Sequence, residues 1–224
     1  MSLLQFSDVS KNYGEHSPAL ERLNFSVESG EFTALAGPSG SGKSTILNLA
    51  AGLDRPSGGE IMLLGREIGQ LSNSGLARMR RDSVGFIFQS YNLFPVLTAI
   101  ENVEYPLALK GISARERHRR SKKALEAVAM GEFLNRMPSC MSGGQQQRVA
   151  VARAIVSEPQ LVFADEPTAN LDSVTTGLLL ELFQDLNKRL GITFLFSSHD
   201  PLVQKAAKRI LHVLDGSIQG ETSP

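Results

Sequence analysis

Residues Gly37-Pro38-Ser39-Gly40-Ser41-Gly42-Lys43-Ser44 match G-x-x-x-x-G-K-[S/T] without a gap. The chemistry behind that spacing is anion binding. A triphosphate needs many donors at close range, and glycines let the backbone wrap around it and turn N–H groups inward. A helix that follows presents its positive N-terminus to the same anion. Lys43 then reaches the terminal phosphates, the Ser44 hydroxyl takes a place on Mg²⁺, and Thr45 closes the binding set. Alone, the motif says only that the chain binds a nucleotide through a P-loop, as kinases, GTPases and many ATPases do.

A second group lies at Asp165-Glu166, which ends the apolar run Leu161-Val162-Phe163-Ala164. The carboxyl end of a buried strand is where α/β sheets bind ligands. A carboxylate there holds Mg²⁺ directly or through water, and its neighbour orients or polarises an attacking water. An isolated Asp-Glu after a strand is ordinarily a solvated turn. Beside an intact phosphate loop it reads as metal ligand and base. A third group, Ser142-Gly143-Gly144, opens a helical pattern that continues through Val149, Ala152, Arg153 and Val156 and stops before Pro159. A serine cap followed by two glycines is a second anion-binding helix start. Tyr13 is one of three tyrosines and has a ring that stacks well on a base, although a tyrosine in a strand-edge segment more often only packs.

The elements that must position these residues are legible in outline. Phe32-Thr33-Ala34-Leu35-Ala36 is apolar throughout, as a buried parallel strand is, and feeds the glycine-rich turn. Ser44 to Ala51 reads as the helix after it. Leu4, Phe6 and Val9, then Phe25 and Val27, alternate as half-buried strands. Phe194-Leu195-Phe196 is another buried strand. Leu179, Leu182, Phe183, Leu186 and Leu190 recur at helical spacing ahead of a capping Gly191. Ile210 to Ile218 reads as a hairpin turning at Asp215-Gly216. Residues about 90–157 carry helical patterns and little strand signal, with Ser113-x-x-Glu116 as a capping box before a basic helix. The expected organisation is one domain: an α/β core over about 1–89 and 158–224, with a helical subdomain over about 90–157.

Several further elements stand in fixed order, and with them the sequence resembles the ABC (ATP-binding cassette) ATPases over nearly its whole length. Ser142-Gly143-Gly144-Gln145 resembles the ABC signature, Leu161 to Glu166 the Walker B strand with its catalytic acid, Asn170-Leu171-Asp172 the D-loop, and His199 the switch histidine. Gln89 falls where the Q-loop glutamine is expected, and Tyr13 where the adenine-stacking aromatic sits. Met141 departs from the leucine usual before the signature serine. The resemblance implies an α/β P-loop nucleotide-binding domain with a RecA-like core, an antiparallel β subdomain and an inserted helical subdomain. It assigns Glu166, His199, Lys43 and Gln89 to catalysis of ATP hydrolysis, and Ser44, Gln89 and Asp165 to Mg²⁺. It places Ser142, Gly143, Gly144, Gln145 and Asp172 across the interface of a head-to-tail dimer that encloses two ATP molecules.

Lys+Arg and Asp+Glu both total 23, so no basic surplus asks for nucleic acid. The single Cys140 excludes an internal disulfide and fits a reducing compartment. No stretch approaches the roughly 20 apolar residues of a membrane span, and the first residues do not read as a signal peptide. Residues Gln89 to Pro95, Thr98 to Val103, Pro106-Leu107 and Gly111 resemble the stand-alone ATPases that pair with lipoprotein-release and macrolide-export permeases, and the cell-division ATPase of the same branch. That resemblance implies a peripheral protein on the cytoplasmic face of the inner membrane, held there by an integral permease. The work done is export or extraction of a substrate, or else mechanical signalling without transport. Leu93, Phe94, Val96 and Leu97 either receive a cytoplasmic helix of the permease or bury themselves in the helical subdomain. The basic run from Arg115 to Lys123 reads as a solvated helix face.

Overall fold

A computed structural model describes residues 2–14 and 18–223. Ten strands and seven helices alternate among them: β1 (Ser2–Lys11), β2 (Leu20–Glu28), β3 (Phe32–Ala36), α1 (Lys43–Ala50), β4 (Gly58–Leu63), β5 (Arg66–Glu67), α2 (Asn73–Ser83), β6 (Val84–Ile87), α3 (Ala99–Leu109), α4 (Ala114–Ala127), α5 (Gly143–Ile155), β7 (Leu161–Asp165), α6 (Ser173–Leu190), β8 (Thr193–Ser198), α7 (Pro201–Ala206), β9 (Arg209–Leu214) and β10 (Ser217–Thr222). They form two sheets. The larger has the order β10-β9-β3-β8-β7-β6 and is parallel except for β10; the smaller, β2-β1-β4-β5, is antiparallel.

The continuous apolar runs have a direct cause, because the parallel sheet is covered on both faces. Phe32, Ala34 and Ala36 of β3 and Phe194 and Phe196 of β8 join one core, with Val149, Val151 and Ala152 of α5 and Leu179, Phe183 and Leu186 of α6. Leu35, Leu195, Leu161 and Phe163 turn to the opposite face, onto Ile46, Leu47 and Leu49 of α1 and the apolar side of the antiparallel sheet. Phe32, Phe183, Phe194 and Phe196 pack ring on ring at centroid distances of 4.6 to 5.7 Å.

Register sets what the strand ends present. Ala36 pairs with Ser198, Asp165 with Ser197, and Ile87 with Ala164. The residues that follow β3, β6, β7 and β8 therefore emerge side by side on one edge.

The amphipathic helix stands as α6, ended by Gly191 in the left-handed region, and the hairpin turns at Asp215 and Gly216 with φ of 45° and 75°. One expectation fails. Ser113 precedes α4 but caps nothing, because the Glu116 carboxylate is taken by Arg119 and Arg120 at 2.7–2.8 Å. The hydrogen bonds from these two arginines hold Glu116 far below the usual carboxylate range, at about 2. Capping boxes form instead at Thr98/Glu101 before α3 and at Ser142/Gln145 before α5.

Candidate active site

Ser39, Gly40, Gly42, Lys43, Ser44 and Thr45 line a cavity of about 340 Å³ together with Gln89, Glu166 and His199. The glycine-rich loop leaves β3 and enters α1 through Gly42, whose φ of 104° suits only glycine; a β-carbon there would also lie 2.7 Å from Leu20 Cδ2. Gly37 is closer still to its surroundings, since a β-carbon would sit 2.1 Å from the Val213 carbonyl oxygen. No side chain caps α1, so its first amides stay free for a ligand. Lys43 is buried and its ammonium donates to the carbonyls of Gly37 and Pro38 at 2.9 and 2.8 Å.

At the end of β7, Asp165 Oδ1 accepts from Ser44 Oγ at 2.8 Å and from Ser197 Oγ at 2.5 Å. Glu166 follows with φ 44°, a backbone region that a non-glycine residue keeps only when its neighbours hold it. Two hydrogen bonds from its N–H, to the Ser197 carbonyl and hydroxyl, supply that hold. Glu166 Oε1 meets His199 Nδ1 at 3.0 Å and Lys43 Nζ at 3.9 Å. Glu166 Oε2 and Ser41 Oγ are buried without a hydrogen-bond partner, which marks places where a bound group completes the site.

Tyr13 stands just beyond β1 with its ring 56% exposed. Its hydroxyl donates to Asp54 Oδ2 at 2.6 Å, and Lys11 Nζ lies 4.7 Å from the ring centroid while holding Asp54 Oδ1 at 2.7 Å. Partial burial and the Asp54 carboxylate push the hydroxyl pKa up. The ring is thus oriented in advance.

The structure therefore gathers the P-loop residues, Asp165, Glu166, His199 and Gln89. It keeps Ser142, Gly143, Gly144, Gln145 and Asp172 out of that cavity. Ser142 caps α5, Gly143 rests against Tyr91, Gly144 faces Thr175, and Asp172 caps α6 through Val174 N and Thr175 N. Among the described residues no cluster of three or more His, Cys, Asp or Glu could hold a metal. Ser44 Oγ and Asp165 Oδ1, 2.8 Å apart, are the kind of hard oxygen donors that a divalent cation takes beside substrate phosphates.

Residues 20–169 match the family model described as ABC transporter. This chain belongs to the ABC transporter family. Its fold is that of the family's ATPase cassettes. It is 44% identical over 223 residues to a macrolide export ATP-binding/permease protein of Marinobacter nauticus, covering 98% of this chain and 34% of that protein. The chain thus spans about a third of the length of the macrolide-export relatives it matches. It is 43% identical over 219 residues to a lipoprotein-releasing system ATP-binding protein of Anaeromyxobacter dehalogenans, covering 96% of this chain and 92% of that protein. A solved dimer of the ATP-binding cassette MJ0796, in a post-hydrolysis state bound to ADP and Pi, superposes with a TM-score of 0.91 at 39% identity, covering 98% of each chain.

Among the described residues no helix of this cassette is long and apolar enough to cross a membrane. A groove of about 310 Å³ runs between α2, β6, α3 and α5, lined by Leu53, Phe86, Phe88, Tyr105, Leu109 and Arg153 among others. Of the four apolar residues singled out after Gln89, Val96 is 76% exposed and Phe94 tilts against Tyr105 at 4.7 Å, whereas Leu93 packs on the core. Sequence reasoning missed this groove, because its walls come from segments far apart in the chain.

Proposed function

We propose that two copies of this chain close head to tail on two ATP molecules and that the closure drives a separate membrane permease. One observation carries the reading: residues of the phosphate cradle, the Glu166 carboxylate and a histidine line one cavity, with Asp165 joined to it through Ser44, while the signature start of α5 lies outside it. A second copy supplies what the first lacks. Ser142, Gly143, Gly144 and Gln145 then face the partner's nucleotide, and Asp172 lies across the interface. The division into a core (about 1–89 and 158–224) and a helical arm (about 90–157) lets the arm carry the signature toward the partner.

The roles follow from position. Tyr13 stacks on adenine. The amides from Gly37 to Thr45 and the Lys43 ammonium bind the phosphates and stabilise charge that develops on them. Ser44 and Asp165 would hold Mg²⁺, with Gln89 on the same cavity; the bound ion neutralises phosphate charge. Glu166 orients the attacking water and takes its proton on Oε2, the oxygen without a protein partner. His199 holds the other carboxylate oxygen and faces the terminal phosphate. The likeness to macrolide-export and lipoprotein-release ATPases supports a bacterial inner-membrane permease as partner and export or extraction as the work done. The exposed apolar groove beneath Tyr105 and Leu109 supports docking of a cytoplasmic permease segment there.

Glu166→Gln tests the reading. Turnover should fall by about 10²- to 10⁴-fold, while ATP binding persists and ATP shifts the sizing profile to a dimer. Unchanged hydrolysis with a monomeric profile would remove the proposal.

A further inference from the structure

Arg153 sits near the end of α5, where the sequence marks it only as part of the helical pattern that follows Ser142-Gly143-Gly144. The structure puts it to another use. Nη2 donates to the Tyr91 carbonyl at 2.7 Å and Nη1 to the Asn92 carbonyl at 2.5 Å. No carboxylate among the described residues pairs with it. Burial lowers its pKa to about 10, so the two carbonyl dipoles are what the charge has in place of water.

The segment it grips is the one that carries Gln89 into the nucleotide cavity. Tyr91 and Asn92 hold φ of 61° and 48°, and neither is glycine. Two successive residues in the left-handed region persist only where the surroundings fix them. Three contacts provide that fixing. The guanidinium holds the two carbonyls, Asn170 Nδ2 donates to the Gln89 carbonyl at 3.1 Å, and the Tyr91 hydroxyl lies where a side chain on Gly143 would have to go, 2.8 Å from its β-carbon position. The same helix reaches the far side of the cavity too, because buried Gln147 donates to the Pro167 carbonyl at 2.7 Å, just after Glu166.

We infer that Arg153 is a positioning residue, a two-pronged clamp that locks the loop bearing Gln89 to the signature helix α5. The placement of Gln89 in the cavity then follows the placement of α5. The inference rests on the ATPase reading above. A planar guanidinium fork spans two successive carbonyls at once; a lysine ammonium on a flexible stem holds one of them without fixing the other. Arg153 also lines the groove between α2, β6 and α3, so one side chain touches the groove and the loop together.

The test compares the full-length protein with Arg153→Lys and Arg153→Met, measuring kcat, KM for ATP, thermal melting and amide hydrogen exchange. The lysine variant keeps the charge and most of the stem, so it stays folded. Its kcat should fall about tenfold with KM within about twofold. Exchange should speed up over residues 88–94 while that of α1 stays as it is. The methionine variant should show the same pattern more strongly.

Wild-type turnover that Arg153→Lys leaves intact would overturn the inference and spare the ATPase reading. Unchanged exchange at 88–94 would do the same. A fall in melting temperature with kcat and KM moving together would assign Arg153 a merely structural role. Absence of turnover in the wild type would remove the ATPase reading and this inference with it.

Discussion

Two helices of this molecule begin with glycines and an anion-binding geometry, and they are built differently. α1 starts at Gly42 with no side-chain cap, and the lysine that follows is folded back on the loop carbonyls. α5 starts at Ser142 with a closed capping box: Ser142 Oγ accepts from Gln145 N, and Gln145 Oε1 accepts from Ser142 N. The first helix leaves its donors for a ligand and has carboxylates and a histidine around it. The second satisfies part of its own need and is braced by neighbours, Tyr91 at Gly143 and Thr175 at Gly144. The difference teaches that two glycine-bearing helix starts can be finished in opposite ways, one left open at its amides and the other closed on itself and braced by its neighbours.

That contrast can be broken at either end. Lys43→Ala removes a charged donor from the first and should weaken ATP binding by about 10- to 150-fold, read by a nucleotide titration. Gly144→Val acts on the second. Its β-carbon would lie 2.7 Å from Thr175 Cγ2, forcing α5 away from α6 at a cost of about 1–3 kcal/mol. Nucleotide affinity of the monomer should hold while turnover falls about tenfold; an equal loss of both would show that the two ends are not separate in function. Ser142→Ala opens the capping box and should cost about 1 kcal/mol, lowering the melting temperature by about 2–4 °C. The smallest effect concerns Asp172, whose pKa is lowered chiefly by the hydrogen bond from Thr175. Because the folded value lies below the unfolded one, its stabilisation is full above about pH 4 and is lost as pH falls through the folded value. Asp172→Asn should therefore flatten the acid limb of the stability curve by lowering the melting temperature slightly at neutral pH and leaving it little changed in acid, where Asp172 is already protonated.

The same contrast marks what the sequence carried. β3, the phosphate loop and α1 were readable because consecutive residues do the work: an apolar run, then glycines, then a helix. β7 with Asp165 and Glu166 was readable for the same reason. β6 was not, since it is four residues long and Gly85 interrupts its apolar signal; that glycine is needed where the Ala154 carbonyl comes within 2.6 Å of a β-carbon position. α2 escaped notice because Leu76 and Met79 are its only buried residues. The capping box expected at Ser113 obeyed the local rule and lost to two arginines one turn on. Arg153 was invisible as a clamp because its acceptors lie about 60 residues away, in backbone atoms that no residue type announces. The gathering of Gln89, Lys43, Glu166 and His199 came from the family's motif order; the strand register is what physically produces it.

The strand order has a further consequence for synthesis. β3 lies at the middle of the parallel sheet, yet its partners β8 and β9 lie more than 150 residues downstream. At about 5–20 residues per second, a ribosome needs roughly 10–30 s to produce them after β3 has emerged. The antiparallel sheet pairs early, since β1, β2, β4 and β5 all lie within the first 67 residues. During that interval Phe32 to Ala36 is an apolar strand with both edges unpaired, which is the kind of segment that a nascent-chain chaperone covers. The strand that feeds the phosphate loop is thus the first of its sheet to be made and must wait for the last third of the chain to be enclosed.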